Sequence, residues 1–376
     1  GLIDAGGMLL LNPFSYRDQS AETIMKEISA FVTDEELYSL TGLGMNTISA
    51  LTRLYQLKNH TAAAVFPAAR TYLPLPDLLR FYLSGDISGE ESILWGSQLI
   101  SVDERKWLKT LIGRLGLPDY LFPEVRPAGT VARSVREELR SATGLKKAPV
   151  IAVAEHDTIS AAVSVFERRS DDVFISTGTW SVMGRFLAEP MLGARARDLG
   201  YLNEIAPEGV VFAKNLMGFY IIEECFTAWK RRGMMNSYEE MVAAAERAAP
   251  FALYIDVNHP SLFSSANMEM SLREYCAESG QRFPVSAGEL ARAILEGLVF
   301  SYRQGLEELE ELSGKRAETV NIIGGGTKNT LLCRMIADGT GRNVRAGASE
   351  PAVFGNIGMQ ALATGQIGSL DELQGI

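Results

Sequence analysis

The segment that says most about the fold is VNIIGGGTKN, residues 320–329. An apolar run leads into three consecutive glycines, and a helical pattern follows from about Thr330. This order of strand, glycine loop and helix lets a ligand approach the backbone at the start of a helix. Because three glycines in a row cost chain entropy on folding, an ordinary turn is the weaker interpretation. We therefore predict that residues 324–326 form a ligand-binding loop.

Other short apolar runs predict further buried strands. Residues 150–154 and 173–175 carry apolar side chains on both faces, which is typical of strands that lie beneath helices in α/β layers. The first eleven residues read as strand, glycine turn and strand. A capping box, in which Ser or Thr is followed three residues later by Glu, predicts helix starts at Thr33, Ser101, Ser134, Ser237 and Ser286.

The distribution of these elements predicts two α/β domains. Residues 1–150 are mostly helical with few strands, whereas strand pairs and helices alternate from about residue 160. A chain of 376 residues is also longer than one typical core supports. We place the boundary so that the first domain spans residues 1–160 and the second spans residues 161–376.

The composition argues against several classes of protein. With a net charge of -10 and a pI of about 5.1, the chain does not favour binding to nucleic acid or to anionic lipid. No apolar run is long enough for a membrane span, and the start at Gly1 lacks the basic and apolar regions of a signal peptide. The three cysteines form no Cys-x-x-Cys pair, which predicts small buried side chains in a reducing cytoplasm rather than disulfides or zinc ligands.

One candidate catalytic residue follows the apolar run at residues 150–154. The run leads into EHDT, residues 155–158, and a helical pattern continues from Ile159. Ligands of open α/β sheets gather at the carboxyl ends of strands, so Asp157 could accept a proton from a substrate hydroxyl there. On spacing alone, Asp157 is better explained as the N-cap of the following helix, and His156 as a hydrogen-bonded structural residue.

Two further motifs are also open to structural interpretations. Residues 174–182, FISTGTWSV, read as strand, polar turn and strand. The turn could hold phosphate oxygens, but on its own the pattern favours an ordinary hairpin. Gly355 and Gly358, three residues apart in a helical pattern, favour close helix packing. A dinucleotide fingerprint and a Walker loop are excluded, because Asn329 replaces a required glycine and the one Gly-Lys pair is not followed by Ser or Thr.

Taken together, the order and spacing of the motifs resemble the FGGY family of carbohydrate kinases over nearly the whole chain. The resemblance implies the actin/hexokinase-superfamily fold, an α/β fold of two ribonuclease-H-like domains that close on ATP and sugar in an interdomain cleft. The motifs that carry the resemblance are SYRD (residues 15–18), AEHDT (154–158), STGTWS (176–181), KNLMG (214–218), GGGTKN (324–329) and GNIG (355–358).

The same resemblance implies roles for particular side chains. Asp157 matches the base that takes a proton from the sugar hydroxyl as its oxygen attacks the γ-phosphate of ATP, while Mg²⁺ neutralises the phosphate charge. The positions that contact the sugar correspond to His156, Thr158 and Asn215. The positions near the nucleotide correspond to Thr179, Glu223 and Gly325. Glu223 stands where the family pattern has glutamine, and no residue is assigned as a metal ligand.

Within the family, the motifs are most similar to those of kinases that phosphorylate L-rhamnulose at the 1-hydroxyl. A kinase for fuculose, xylulose or another polyol is the alternative among enzymes, and an ATP-binding protein without turnover is the alternative outside them. The expected partners are the small-molecule sugar and ATP, with the protein a monomer or homodimer. The family's first Asp-x-Gly phosphate loop and its C-terminal segment do not occur in this chain, so we expect weak ATP binding and slow turnover from the chain alone.

Overall fold

The computed structural model describes residues 1–15, 21–165, 171–263 and 265–375. The chain divides into two compact units. The first unit consists of Gly1–Ser164, Phe186–Phe212 and Ala352–Ile376, and the second consists of Val165–Arg185 and Ala213–Pro351. Because two later segments fold with the first unit, neither unit is continuous in sequence. The single domain boundary near residue 160 remains a prediction.

The regular elements alternate between short strands and helices of varied length. The helices are α1 (Glu22–Ile28), α2 (Asp34–Thr41), α3 (Ala50–Gln56), α4 (Leu75–Ser84), α5 (Glu91–Trp95), α6 (Lys109–Arg114), α7 (Glu137–Thr143), α8 (Asp157–Val163), α9 (Ala194–Asp198), α10 (Tyr220–Arg231), α11 (Tyr238–Arg247), α12 (Met268–Glu278), α13 (Ala287–Ser313), α14 (Thr330–Thr340) and α15 (Pro351–Ala363). The strands are β1 (Leu2–Ile3), β2 (Thr71–Tyr72), β3 (Ser88–Glu90), β4 (Glu124–Arg126), β5 (Thr130–Ser134), β6 (Pro149–Ala152), β7 (Val173–Thr177), β8 (Trp180–Leu187), β9 (Tyr201–Ile205), β10 (Val210–Met217), β11 (Thr319–Gly324) and β12 (Asn343–Ala346).

The largest sheet in the described part of the chain has the strand order β12-β11-β7-β8-β10-β9. β11 runs parallel to β7 and to β12, and β7 runs antiparallel to β8. The division between the compact units falls within β8 and β10. β7 and β11 are buried along most of their length, which confirms the prediction made from their two-sided apolar sequence.

The apolar run at residues 150–154 forms a strand, but the prediction that it is buried on both faces is wrong. The strand is β6, Pro149–Ala152, and it pairs with β5 in a two-stranded antiparallel sheet. Ala152 is buried, whereas Val150 and Ile151 are half-buried. A strand in so small a sheet keeps part of its surface accessible, so an apolar sequence does not by itself place it beneath helices.

The predicted helix starts are correct at three of the five positions. The hydroxyls of Thr33, Ser237 and Ser286 accept the backbone N–H three residues later, and helices α2, α11 and α13 follow. Ser101 accepts the N–H of Glu104 at 3.1 Å, but the chain turns away because Arg105 adopts a positive φ of 54°. The remaining position, Ser134, ends strand β5, and α7 begins at Glu137 without a side-chain cap.

The start of the chain agrees with the sequence prediction, and the burial predicted for the cysteines is confirmed at two of the three. Residues 2–10 form a short hairpin, in which Asp4 N–H donates to the carbonyl of Met8 at 3.0 Å. β1 also pairs with β2 in antiparallel orientation. Cys225 and Cys276 are buried free thiols, and Cys333 is a half-buried one. The thiols therefore pack as small apolar side chains.

Candidate active site

Asp157 lies at the first residue of α8 with its carboxylate open to solvent. Its side chain is 88% exposed, and one carboxylate oxygen accepts the backbone N–H of Thr158 at 2.7 Å. The N-cap residue is His156, which has extended backbone angles and makes no side-chain cap bond. The interpretation of Asp157 as the N-cap is therefore wrong. The carboxylate is free to meet a substrate.

Two buried side chains hold the backbone that leads into Asp157. Oε2 of Glu90 accepts the N–H of Glu155 at 3.1 Å, and the hydroxyl of Ser92 accepts the N–H of His156 at 3.2 Å. Glu90 also caps α5 by accepting the N–H groups of Ser92 and Ile93. Burial raises the pKa of Glu90 to about 7, against the lowering effect of the Ser92 donors. The sequence pattern gave no signal for these supports, since they lie more than 60 residues upstream.

The imidazole of His156 is held by an acid and an aromatic ring. Its Nδ1 lies 2.8 Å from Oε2 of Glu204, a buried residue of β9, and its Nε2 lies 3.8 Å from Oδ1 of Asp157. The Trp95 ring packs at 6.0 Å between centroids. Burial alone would lower the pKa of His156, but the Glu204 carboxylate, together with Asp157 and Glu90, outweighs burial and raises it. The Glu204 carboxylate thus favours the protonated form of His156, which donates hydrogen bonds from both ring nitrogens.

Cavities flank the loop of residues 155–157 on two sides, and both lie within the first unit. One has a volume of about 640 Å³ and is lined by His156 together with Ser97, Arg53 and many apolar side chains. The other, of about 470 Å³, is lined by Asp157 and Asn356, among others. Both volumes fall in the range of small-molecule sites. A sugar-sized ligand could therefore lie against either side of this loop.

In the second unit, the predicted hairpin around Thr179 is confirmed. β7 ends at Thr177 and β8 begins at Trp180, so Gly178 and Thr179 form the turn. The carbonyls of both turn residues accept N–H groups from the start of α10, at 2.8 and 3.1 Å. The Thr179 hydroxyl lies 3.4 Å from a carboxylate oxygen of Glu223, and both side chains are exposed. The structure therefore brings two of the predicted nucleotide positions together.

The three consecutive glycines at the end of β11 have different structural roles. Gly324 pairs in register with Thr177 at φ +86°, and a Cβ at Gly324 would collide with the carbonyl of that threonine. Gly326 donates its N–H to the Thr177 hydroxyl at 2.9 Å, and a Cβ there would lie only 2.6 Å from that hydroxyl. Gly325 is exposed, and the nearest atom to a Cβ placed on it is 3.9 Å away. Packing thus requires two of the glycines and leaves Gly325 accessible to a ligand.

The remaining predicted positions are distributed over both units. Thr158 follows Asp157 in α8, and Asn215 is an exposed residue of β10 in the second unit. Gly355 lets α15 pack closely on α8, because a Cβ there would collide with the carbonyl of Ser160. This confirms the packing interpretation of that glycine. Of the motif at residues 15–18, positions 16–18 lie outside the described residues.

Comparison with known proteins decides the family. Residues 2–164 match the N-terminal domain of the FGGY family of carbohydrate kinases, and residues 173–364 match its C-terminal domain. The chain belongs to the FGGY family of carbohydrate kinases. It is 34% identical over 367 residues to the rhamnulokinase of Bacteroides thetaiotaomicron, a match that covers 97% of this chain and 74% of that protein. It is 32% identical over 369 residues to the rhamnulokinase of Enterococcus faecalis, covering 97% and 73%.

Solved structures agree on the fold of this FGGY kinase. The xylulose kinase of Rhodospirillum rubrum matches with a TM-score of 0.81 at 18% identity, covering 100% of this chain and 75% of that one. Together with the matches to both FGGY domains, this likeness confirms the predicted two-domain FGGY fold of the actin/hexokinase type. No helix in the described residues is long and apolar enough to cross a bilayer.

Proposed function

We propose that this sugar kinase transfers the γ-phosphoryl group of ATP to the 1-hydroxyl of L-rhamnulose. The observation that carries the proposal is the identity of about one residue in three with rhamnulokinases along 97% of the chain. A likeness of that extent includes both halves of the molecule. A likeness limited to the nucleotide-binding half would indicate only shared ATP binding, whereas a likeness over both halves favours a shared sugar substrate.

In the proposed mechanism Asp157 is the general base. Its exposed carboxylate accepts the proton of the 1-hydroxyl as that oxygen attacks the γ-phosphorus and the bond to ADP breaks. The hydroxyl loses its proton late in phosphoryl transfer, so an exposed carboxylate can serve as the base. The supports from Glu90 and Ser92 fix the loop, and positioning of this kind supplies much of the rate of phosphoryl transfer.

Three side chains are proposed to orient the sugar. His156 donates to a sugar oxygen, because the Glu204 carboxylate favours its protonated form. Thr158 and Asn215 offer a hydroxyl and an amide, which can both donate to and accept from sugar hydroxyls. We assign residues 1–160, which carry His156, Asp157 and Thr158, to the sugar-binding domain.

The second domain, residues 161–376, is proposed to bind ATP, which enters as its Mg²⁺ complex. The turn at Thr179 offers a hydroxyl and backbone groups to phosphate oxygens. Gly325 gives the nucleotide a close approach to the backbone, since among the described residues the nearest atom to a Cβ placed there is 3.9 Å away. Glu223 lies beside Thr179, and its carboxylate suits a hydroxyl of the nucleotide better than a phosphate.

The free thiols of Cys225, Cys276 and Cys333 fit the reducing environment of the cytoplasm.

A substrate panel tests the proposal. With MgATP and a coupled assay for ADP, L-rhamnulose should give a higher kcat/KM than fuculose, xylulose or other polyols. A preference for xylulose or fuculose by about tenfold or more, which is about 1.4 kcal/mol of transition-state binding, would contradict the choice of sugar within the family. ATP binding without sugar-dependent ADP release would instead favour a protein that binds ATP and does not turn over.

A further inference from the structure

A buried cluster of charges lies directly behind the loop that carries Asp157. At its centre is Arg80 of α4, whose side chain is only 4% exposed. Its guanidinium donates to Asp86 and to Glu155, each at 2.8 Å, and to Asp77. It also donates to the hydroxyl and the carbonyl of Ser88 at 2.8 Å. All of these groups belong to the first unit.

The cluster holds more acids than one arginine can neutralise. The side chains of Asp77, Asp86 and Glu155 are each 5% exposed or less. Asp86 has a second cation, since Arg126 reaches its other carboxylate oxygen at 3.3 Å. Asp77 and Glu155 have Arg80 as their shared partner. An ionised carboxylate that has no compensating positive charge in such a buried site lowers the stability of the fold, because its lost hydration is not replaced.

Two buried carboxylate oxygens show which acids of the cluster lack a compensating group. Oδ2 of Asp77 and Oε2 of Glu155 are buried and have no hydrogen-bond partner among the described residues. Both carboxyl groups accept from adjacent nitrogens of one guanidinium, Nε and Nη2 of Arg80, which places them side by side, within reach of a direct hydrogen bond. Two ionised carboxylates cannot make that bond, because neither has a proton to donate. One shared proton would satisfy both oxygens and remove one negative charge.

The surroundings favour Glu155 as the residue that carries the proton. Burial, and then the charge of Asp77, raise the pKa of Glu155. Burial also raises the pKa of Asp77. Arg80 opposes the rise at both carboxyls, and at Asp77 the N–H of Glu90 opposes it further. The other titratable or charged groups that act on the pair from the surrounding elements are the Gly1 amino group, Tyr72, Arg80, Asp86, Glu90 and Arg126.

We propose that Glu155 and Asp77 share one proton, and that this neutral acid pair on Arg80 positions the loop from which Asp157 reaches the substrate. Glu155 precedes Asp157 by two residues, and its own N–H is held by Glu90. The loop is thus fixed through both the backbone and the side chain of Glu155. Glu155 is a positioning residue. Its side chain is 5% exposed and bonds to Arg80, and its role in catalysis rests on the function proposed above.

Loss of the shared proton has a defined consequence. At alkaline pH Glu155 ionises. The buried pair then carries two negative charges, and Arg80 is the one cation that both carboxylates contact. We expect the loop to shift and kcat to fall, while KM for ATP changes little. Such a displacement of a catalytic group can cost from about tenfold to a hundredfold in rate.

Paired substitutions test the role in the loop. In Glu155→Gln the amide donates to Asp77 at every pH, so kcat should stay close to that of the unmodified protein and lose its alkaline fall. Glu155→Ala should lower kcat by roughly tenfold to a hundredfold at all pH values. If Glu155→Gln loses as much kcat as Glu155→Ala, or keeps the alkaline fall unchanged, the proposal is wrong. In the second case His156 becomes the group that titrates.

Infrared spectroscopy tests the proton itself and needs no substrate. At about pH 8, above the pKa of about 7 that burial gives Glu90, the protein should show the carbonyl stretching band of a protonated carboxylic acid, and Glu155→Gln should abolish it. Glu296→Gln is the matched control. Glu296 is also buried, but it pairs with Arg292 at 2.8 Å and accepts the N–H of Phe251, so its substitution should leave the band unchanged. A band that is missing, or that survives Glu155→Gln, contradicts the shared proton whatever the sugar is.

Discussion

The loop that carries Asp157 and the loop of three glycines are held in place in different ways. Residues 155–157 depend on buried side chains, namely the cluster around Arg80 and the carboxylate of Glu90. Residues 324–326 depend on backbone fit, with added side-chain bonds from Thr177 and Thr327. A site that must hold a carboxylate steady uses charges, whereas a site that must admit a nucleotide removes side chains. The two loops should therefore respond differently to substitution and to pH.

Removal of the charge from Asp157 should have the largest effect. Asp157→Asn should lower kcat by at least about a hundredfold, the low end of general-base contributions, and leave ATP affinity nearly unchanged. Asp119→Asn is the control, since Asp119 is likewise an exposed aspartate that opens a helical turn in the first unit. Steady-state kinetics together with ATP titration measure both effects. Near-normal turnover by Asp157→Asn would remove this carboxylate from the mechanism.

The glycine loop should separate stability from binding. Gly324→Ala should lower the free energy of unfolding by about 1–3 kcal/mol or more, because its backbone conformation is nearly exclusive to glycine and the Cβ collides with Thr177. Gly325→Val should keep most of the stability and raise KM for ATP more than KM for sugar. Urea unfolding and steady-state kinetics measure the two effects. Equal changes in both KM values for Gly325→Val would point to misfolding and would erase the contrast between the glycines.

A smaller effect is expected at His156. Because its folded-state pKa is raised by Glu204, the stability that this pair contributes is fully present below the unfolded pKa of about 6.5 and is lost as pH rises through the higher folded pKa. Glu204→Gln should therefore lower the pKa of His156 and destabilise the protein more at acidic than at alkaline pH.

NMR can follow this histidine directly, because the chain contains three histidines. The imidazole of His156 should titrate above the ordinary histidine range and shift downward in Glu204→Gln. His259 in the second unit is the internal control. An unchanged titration of His156 would mean that Glu204 does not set its charge.

The sequence predicted the glycine loop better than the loop of Asp157 for a physical reason. Three glycines and an apolar run are local signals, and β11, its loop and α14 follow them closely in the chain. The supports of Asp157 come from residues 65 and 75 positions upstream, so folding alone brings them together. Local capping patterns had the same limit. They succeeded at Thr33 and failed at Ser101, where the next residues form no helix.

The position of the phosphate on the product directly tests whether the protein transfers the phosphoryl group of ATP to the 1-hydroxyl of L-rhamnulose. The protein is incubated with MgATP and L-rhamnulose, ADP is quantified, and the sugar phosphate is analysed by phosphorus–proton correlation NMR. We expect equal amounts of ADP and sugar phosphate, with the phosphorus coupled to the two protons on C1. Sugar-independent ADP release, or a phosphorus coupled to protons on another carbon, would contradict phosphoryl transfer to the 1-hydroxyl.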